Sequence, residues 1–486
     1  MSFTDGVAKK NGHSALERRF PVAQAQEKDF FARFNFVEAP FIGTRPPGPK
    51  AKELLVRQRM VDSNVLVYPS QIPLAPESGL GATVKDVDGN YYIDFSGGVG
   101  VLNVGHSHPD VIAAIKKQAE KLIHGLDFPG EPRVRLSEKL VGLGPGEMRN
   151  KCKIFLCGPT GADAVEAAVK LGKYHSRKPG VISFEGGWHG VSGSGLAATG
   201  RKGAKDRFLP VIPEFYIIPY AYCYRCRFGM TYPSCDLQCA QYLEHIVRDP
   251  DSGATSPGSV LIEPIQGEGG IVVPPDGYLQ EVRRICTQYG LLLIMDEIQT
   301  GFGRTGSMFC CENWGVSPDI LTASKTMGGG LPLAAVIIRE EFDTWTAGAH
   351  VGTFRGNLLS CAAGLASINF IEKNNLSARA QDLGQKALDR LTGIAARSSY
   401  IGDVRGKGLF VAIEFVKDKK TKEPGPDLLQ EVVKRCYERG LILWKGGRWN
   451  NCARIMPALV ISESLLNQGI DIFEEALRSM EKELRK

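Results

Sequence analysis

No stretch of the 486 residues approaches the roughly 18 consecutive apolar positions that mark a membrane-spanning helix. A membrane-embedded helical protein is therefore not expected. Charge of one sign is also scarce. The net charge is +6, and Lys and Arg alternate with acids, so no basic stripe suited to nucleic acid stands out. Met1 to Lys10 contains no apolar segment of a secretory signal. Twelve cysteines without such a signal point to a reducing compartment, the cytoplasm. Internal repeats and low-complexity tracts are missing too, which sets aside solenoids and unstructured spacers.

What is present fits an ordinary soluble chain: 43% hydrophobic and 23% charged residues. The length exceeds one typical core, so two domains, or one large domain with extensions, are expected. The first 75 residues read as an N-terminal arm, polar at the start and irregular at Arg45-Pro46-Pro47-Gly48-Pro49-Lys50. Ala82 to Val87 alternates, Asp88-Gly89-Asn90 turns, and Tyr91 to Asp94 returns, which predicts a β-hairpin. His108-Pro109 opens a helix expected over residues 110–124. From about residue 150 the apolar runs are short and unalternated: Ile154–Leu156, Val181–Phe184, Val260–Ile262, Leu291–Met295 and Ala334–Ile338. Helical stretches such as Ala164–Tyr174 and Tyr278–Tyr289 lie between some of them. That pattern predicts an α/β fold with a mainly parallel sheet covered on both faces. Its ligands belong at the strand C-terminal ends. After residue 375 the texture becomes that of a smaller α+β domain, with helices expected at 380–397, 428–439 and 464–486.

Two of the apolar runs end in chemically useful groups. Leu291 to Met295 ends in Asp296, and Asp319 to Ser324 ends in Lys325, followed by Thr326-Met327-Gly328-Gly329-Gly330. A lysine at a strand end is most often a solvated surface group. Here small and apolar neighbours would desolvate it, which favours the neutral, nucleophilic amine. An amine and a carboxylate at neighbouring strand tips form the pair that pyridoxal phosphate (PLP) chemistry requires. The amine makes the Schiff base, and the acid keeps the pyridine nitrogen protonated. Gly158-Pro159-Thr160-Gly161-Ala162-Asp163 follows a strand and opens a helix, a place for a phosphate to meet backbone N–H groups. Trp188, in Glu185-Gly186-Gly187-Trp188-His189-Gly190, is either core or an aromatic plate against a cofactor ring. Gln299, three residues after Asp296, could reach a ring hydroxyl.

Taken together these segments resemble the class III (ω-amino acid) aminotransferases, over roughly residues 75 to 470 and most specifically over Leu293 to Gly330. The resemblance implies PLP fold type I. Residues 76–104 would be the N-terminal part of the small domain, 105–375 the large PLP-binding domain and 376–486 the C-terminal small domain. It implies that Lys325 is the Schiff-base lysine and proton shuttle, and Asp296 the pyridinium partner. Thr160, Gly161 and Ala162 match the phosphate loop, Trp188 the stacking ring, and Gln299 the residue beside the ring hydroxyl. Thr353, in Gly352-Thr353-Phe354-Arg355-Gly356-Asn357, matches the threonine that reaches the neighbouring subunit's phosphate. A homodimer with shared active sites follows, with pairing into tetramers left open. Glu268 matches the family's gating glutamate and Arg454 its carboxylate-binding arginine. Paired, they would suit an uncharged substrate end; parted, they would offer a cation to a 2-oxo acid.

Within the family, Phe354-Arg355-Gly356-Asn357, Leu331-Pro332-Leu333-Ala334 and Gly446-Gly447-Arg448 look like the diaminobutyrate:2-oxoglutarate aminotransferases. Met456-Pro457-Ala458 departs from the usual Pro-Pro. The implied reaction moves an ω-amino group between an amino acid, best 2,4-diaminobutyrate, and a 2-oxo acid such as 2-oxoglutarate. Amino-acid racemases and epimerases of the same family use the same core and stand as the alternative. A scaffold that has lost chemistry is a third reading, opposed by the intact Lys325, Asp296 and phosphate loop. Lastly, Cys223-x2-Cys226-x8-Cys235-x3-Cys239 has the ligand count of a structural zinc site, though it lacks a second Cys-x2-Cys. The alternative is four free thiols in a surface loop near a subunit interface.

Overall fold

A computed structural model describes residues 30–485. The reading of Met1 to Lys10, and of the arm before Phe30, lies outside the described residues. Three sheets organise the rest. The first contains β1 (Pro76–Leu80), β2 (Thr83–Asp86) and β3 (Tyr91–Asp94). The turn between β2 and β3 is held by Asp86, whose Oδ1 accepts from the backbone N–H of Asp88 at 3.0 Å and of Asn90 at 2.8 Å. This is the hairpin that the alternating pattern predicts.

The large sheet comprises β4 (Cys152–Leu156), β5 (Gly180–Phe184), β6 (Phe215–Ile218), β7 (Pro257–Ile262), β8 (Leu292–Asp296), β9 (Ile320–Ala323) and β10 (Ala335–Arg339). Their spatial order is β4-β10-β9-β8-β7-β5-β6. All neighbours are parallel except β10, which runs against both β4 and β9. The sheet is thus mainly parallel, as its unalternated runs suggest. Every residue of β5, β8 and β9 is buried. Each large aliphatic or aromatic side chain so removed from water contributes about 1.5–3 kcal/mol before ordering costs. Helix 161–176 covers one face with Ala164, Val165, Ala168 and Leu171, all fully buried.

The third sheet is built from β11 (Ile401–Gly406), β12 (Val411–Asp418), the short β13 (Glu423–Pro424), β15 (Trp444–Gly446) and β16 (Cys452–Ile455). β14 (Leu441–Ile442) instead joins the first sheet, pairing in parallel with β3. Helices 376–397, 426–438 and 463–484 fall close to the three expected after residue 375. The helix expected over 110–124 ends earlier, at Ala119. There the Gln118 amide bonds the Leu122 carbonyl at 2.7 Å, and the chain beyond exposes Leu122, Ile123, Leu126 and Phe128. Among the described residues no helix is long and apolar enough to cross a membrane.

β5, β7, β8 and β9 run parallel, and β4 shares their direction through the two antiparallel steps at β10. Their C-terminal ends therefore lie along one edge, the edge where ligands of such sheets sit.

Candidate active site

Five strand ends meet at one cavity, lined by Gly161, Ala162, Trp188, His189, Gly190, Glu263, Glu268, Asp296, Ile298, Gln299 and Lys325. Lys325 follows β9 at the start of a short turn, Lys325–Gly328, in a left-handed conformation with φ of +47°. A bulky residue held there costs on the order of 1–3 kcal/mol, which packing must offset. Part of that packing is helix 358–373. Its Gly364 lies so close that a Cβ would stand 2.0 Å from the Met327 carbonyl oxygen. Burial pushes the Lys325 amine below the usual lysine range, against the opposing pull of Glu268, Asp296 and Glu263. A neutral amine is the form that attacks a carbonyl.

Asp296, 3% exposed, ends β8. Its Oδ2 lies 2.8 Å from His189 Nδ1. Its Oδ1 accepts from the Ile298 N–H at 3.1 Å and the Thr322 hydroxyl at 3.3 Å. A carboxylate offers about four acceptor positions, so these partners fix its direction and leave capacity for a further donor in the cavity. Glu263, one step beyond the in-register pair Ile262–Met295, lies beside it. Its Oε1 accepts from the Trp188 N–H and its Oε2 from the Gly267 N–H, at 2.7 and 2.8 Å. Burial above all pushes the Glu263 carboxyl up; His189 pulls it down, and the charge of Asp296 adds to the rise.

The phosphate-loop residues open helix 161–176. Asp163 bonds back to the N–H and hydroxyl of Thr160, at 2.8 and 2.7 Å. The first-turn N–H groups of Gly161 and Ala162 have no acceptor within the helix. Both residues line the cavity where Lys325 and Asp296 meet. Gln299 is 7% exposed and donates to the Val99 carbonyl at 3.1 Å. Thr160 and Thr353 do not line the cavity, and Thr353 is exposed on the 351–356 loop.

Glu268, which lines the cavity, accepts through Oε1 from Nη1 of Arg454, on β16, in a short ion pair. A second nitrogen reaches the Lys445 carbonyl at 3.3 Å, and the buried Nε has no partner among the described residues. Burial raises the Glu268 carboxyl, but Arg454, followed by Lys325 and Arg201, brings it below the usual range. Arg201 stacks on Trp188, 5.7 Å from its ring centroid.

Sequence reasoning passes over His189, Glu263 and Arg201. His189 stands inside a quoted motif, and Glu263 closes an apolar strand as Asp296 does. That shared position was the available signal. Cys223, Cys226, Cys235 and Cys239, the residues weighed for zinc, are free thiols in this structure. Among the described residues no three His, Cys, Asp or Glu side chains form a group that could hold a metal ion. Cys223 is exposed on a short turn, whereas Cys239 is half-buried in helix 238–248. Burial raises both thiols, Cys239 to about 12, and the neighbouring cysteines add to the rise.

The family model described as "Aminotransferase class-III" matches residues 67–477. A diaminobutyrate–2-oxoglutarate aminotransferase of Rhizobium meliloti is 39% identical over 422 residues, covering 85% of this chain and 90% of that protein. An alanine/serine racemase of Pyrococcus horikoshii is 36% identical, covering 91% of this chain and 93% of that protein. The crystal structure of a Bacillus anthracis aminotransferase superposes with a TM-score of 0.81 at 30% identity, covering 88% of this chain and 99% of that one. With a fold of PLP type I, and a family match spanning all five strand ends of the cavity, the chain belongs to the class III aminotransferases.

Proposed function

We propose that the protein is a PLP-dependent aminotransferase that moves an ω-amino group, best that of 2,4-diaminobutyrate, to or from 2-oxoglutarate. The observation that carries this reading is the convergence of Lys325 and Asp296 on one cavity that is also lined by Glu268, the ion-pair partner of Arg454. The residues present fit the cofactor. A buried amine with a lowered proton affinity suits Schiff-base formation. A carboxylate oriented by three donors suits a pyridinium, and free helix-start N–H groups suit a phosphate. Trp188 would cover the ring, and Gln299 would lie beside its hydroxyl. Bound there, the cofactor supplies an electron sink for negative charge at the carbon bearing the amino group.

The chain's own residues supply the rest. Lys325 Nζ would take the proton from that carbon and deliver it on the far side of the amino nitrogen, the shift that amino transfer requires. Asp296, held by His189, keeps a positive charge in place at the cavity floor. Glu268 neutralises Arg454 while an ω-amine substrate occupies the site. Released, it leaves Arg454 for the carboxylate of the 2-oxo acid. Thr353, exposed near Val351 and Phe354, would reach the phosphate held by a second subunit, so a homodimer with shared sites is part of the proposal. Twelve free thiols support a reducing, cytoplasmic setting.

The similarity to the Pyrococcus horikoshii racemase favours a second reading, inversion of an amino acid on the same core. The Glu268–Arg454 pair favours transamination, because alternating substrates of different charge need an adjustable cation. Screening amine donors against 2-oxoglutarate and pyruvate tests the proposal. Glutamate formation from diaminobutyrate and 2-oxoglutarate is expected. Inversion of one amino acid with no need for an acceptor would overturn it.

A further inference from the structure

The cysteine-bearing insertion between β6 and helix 238–248 sends two side chains into the third sheet. The Tyr222 hydroxyl donates to Glu414 Oε2 in a short hydrogen bond, and Arg225 Nε donates to Glu414 Oε1 at 2.5 Å. Glu414, on β12, has a fully buried side chain. Its Oε2 also accepts from Arg405 Nη1 at 2.7 Å. Two guanidinium groups and one phenol therefore surround one carboxylate. The Tyr222 ring lies between Arg405 and Arg448, whose guanidinium carbons stand 4.9 and 5.3 Å from its centroid.

Arg405 Nη1 also donates to Asp403 Oδ2 at 2.7 Å, and its other nitrogens turn on a different segment. Nε reaches the carbonyls of Gly270 and Ile271, each at 3.1 Å, and Nη2 reaches Gly270 again at 2.7 Å. These carbonyls follow Glu268 by two and three residues. Gly270, at φ +113°, is pressed so closely that a Cβ would meet Cys452 Sγ at 2.9 Å and Arg405 Nη2 at 3.1 Å. The Glu268 carbonyl accepts from the Gly447 N–H at 3.0 Å. Cys452 and Arg454 share β16, which pairs with β12 at Glu414–Cys452 and Ala412–Arg454. Both halves of the Glu268–Arg454 pair are thus tied to the Glu414 cluster. The insertion supplies two of that cluster's members.

We propose that Tyr222 and Arg225 are positioning residues for the Glu268–Arg454 pair. Through Glu414 they fix Arg405, and Arg405 holds the loop that carries Glu268 against Arg454. This rests on the reading of that pair as the element that adapts the site to two substrate charges. Arg225 is suited to the task because its side chain, 13% exposed, closes the cluster from the outside and also packs on Trp449, 4.8 Å from its ring centroid. Losing either member leaves Glu414 and Arg405 less constrained, the Glu268 loop looser, and Arg454 less fully neutralised. The substrate that needs a neutral Arg454 suffers, and the one that needs its charge does not.

The test compares Arg225→Gln, Arg225→Lys and Tyr222→Phe with the unaltered holoenzyme. Each half-reaction is followed separately, with 2,4-diaminobutyrate or 2-oxoglutarate, alongside hydrogen exchange of the Gly267–Val272 amides. In Arg225→Gln and Tyr222→Phe the amine KM is expected to rise about fivefold or more, with the 2-oxoglutarate KM within about twofold and kcat unchanged. Exchange at Gly267–Val272 should quicken, and Arg225→Lys should restore both readings in part. Equal rises in the two KM values, or unchanged exchange in that segment, would overturn the proposal. Glu268→Gln, measured in parallel, separates the two ideas. If it shows the amine-specific effect and the insertion variants do not, positioning by the insertion is refuted. If Glu268→Gln also lacks the effect, the reading of the pair itself fails and takes the proposal with it.

Discussion

Replacing Glu268 with Gln keeps a side chain of the same shape beside Arg454 but removes its charge. Arg454 is 4% exposed, and its neighbours are one carboxylate oxygen, one carbonyl at 3.3 Å and no partner at Nε. Among the described residues Glu268 is therefore the one carboxylate paired with it. Charged hydrogen bonds contribute about 1.5–3 kcal/mol and neutral ones about 0.5–1.5 kcal/mol, so the variant leaves the closed pair weaker by about 1–2 kcal/mol. That corresponds to a factor of about 5–30. The loss falls on the amine half-reaction, in which Arg454 must be neutralised. The 2-oxo acid half-reaction, which uses the free cation, keeps its KM or improves it. Rapid-mixing measurement of each half-reaction through the visible absorbance of the holoenzyme separates the two. A matching loss in both, or in neither, would show that the pair is a fixed strut and that the site discriminates by other means.

Lys325→Ala should abolish the yellow holoenzyme colour and lower turnover by on the order of 10²–10⁴-fold or more; substantial activity in that variant would refute the role of Lys325. Loading of the apoprotein with PLP should depend on pH. Only the neutral amine reacts, so the rate rises through the lowered pKa of Lys325 and levels off below about 10.4, where an ordinary lysine loses its proton. Between those limits the unfolded chain binds the extra proton, so this group adds stability to the apoprotein as pH rises. A rate still climbing like that of a free lysine would argue against the burial effect. Gly364→Ala forces the Met327 carbonyl away from helix 358–373. It should cost about 1–3 kcal/mol, with a lower melting temperature and slower PLP loading; a variant that melts and loads like the parent would show that the Lys325 turn is not held by this contact.

Lys325 and Asp296 were legible because each closes a short apolar run, and such runs are the clearest signal of buried parallel strands. Helix 278–289 was legible at both ends, its limits set by Gly277 and Gly290 in left-handed conformations. Glu268 and Arg454 became meaningful only through family resemblance. They lie in a loop and on a strand of different sheets, and no local pattern joins residues brought together by tertiary packing. Glu263 was missed although it occupies the same kind of strand end as Asp296. Its importance comes from the partners Trp188 and Gly267, which spacing does not reveal. The four cysteines show a different limit. Their spacing suggested convergence, and the neighbouring thiols do help raise Cys223 and Cys239, but among the described residues no three His, Cys, Asp or Glu side chains form a group that could hold a metal ion. The two-residue strand β14 is too short for any alternation to disclose.

That same small strand sets an order on assembly. β3 finds its parallel neighbour only when Leu441 and Ile442 arrive, long after it in the chain. During synthesis the hairpin of residues 83–94 emerges with the outer edge of β3 paired only at Tyr91, which exchanges hydrogen bonds with Phe41, while the N–H groups of Ile93 and Phe95 wait for the carbonyls of Gly440 and Ile442. A nascent chain stalled before β14 would thus carry a templating edge, open to pairing with other chains. The segment that carries β14, shortly before Arg454, closes what Phe41 leaves open of that edge.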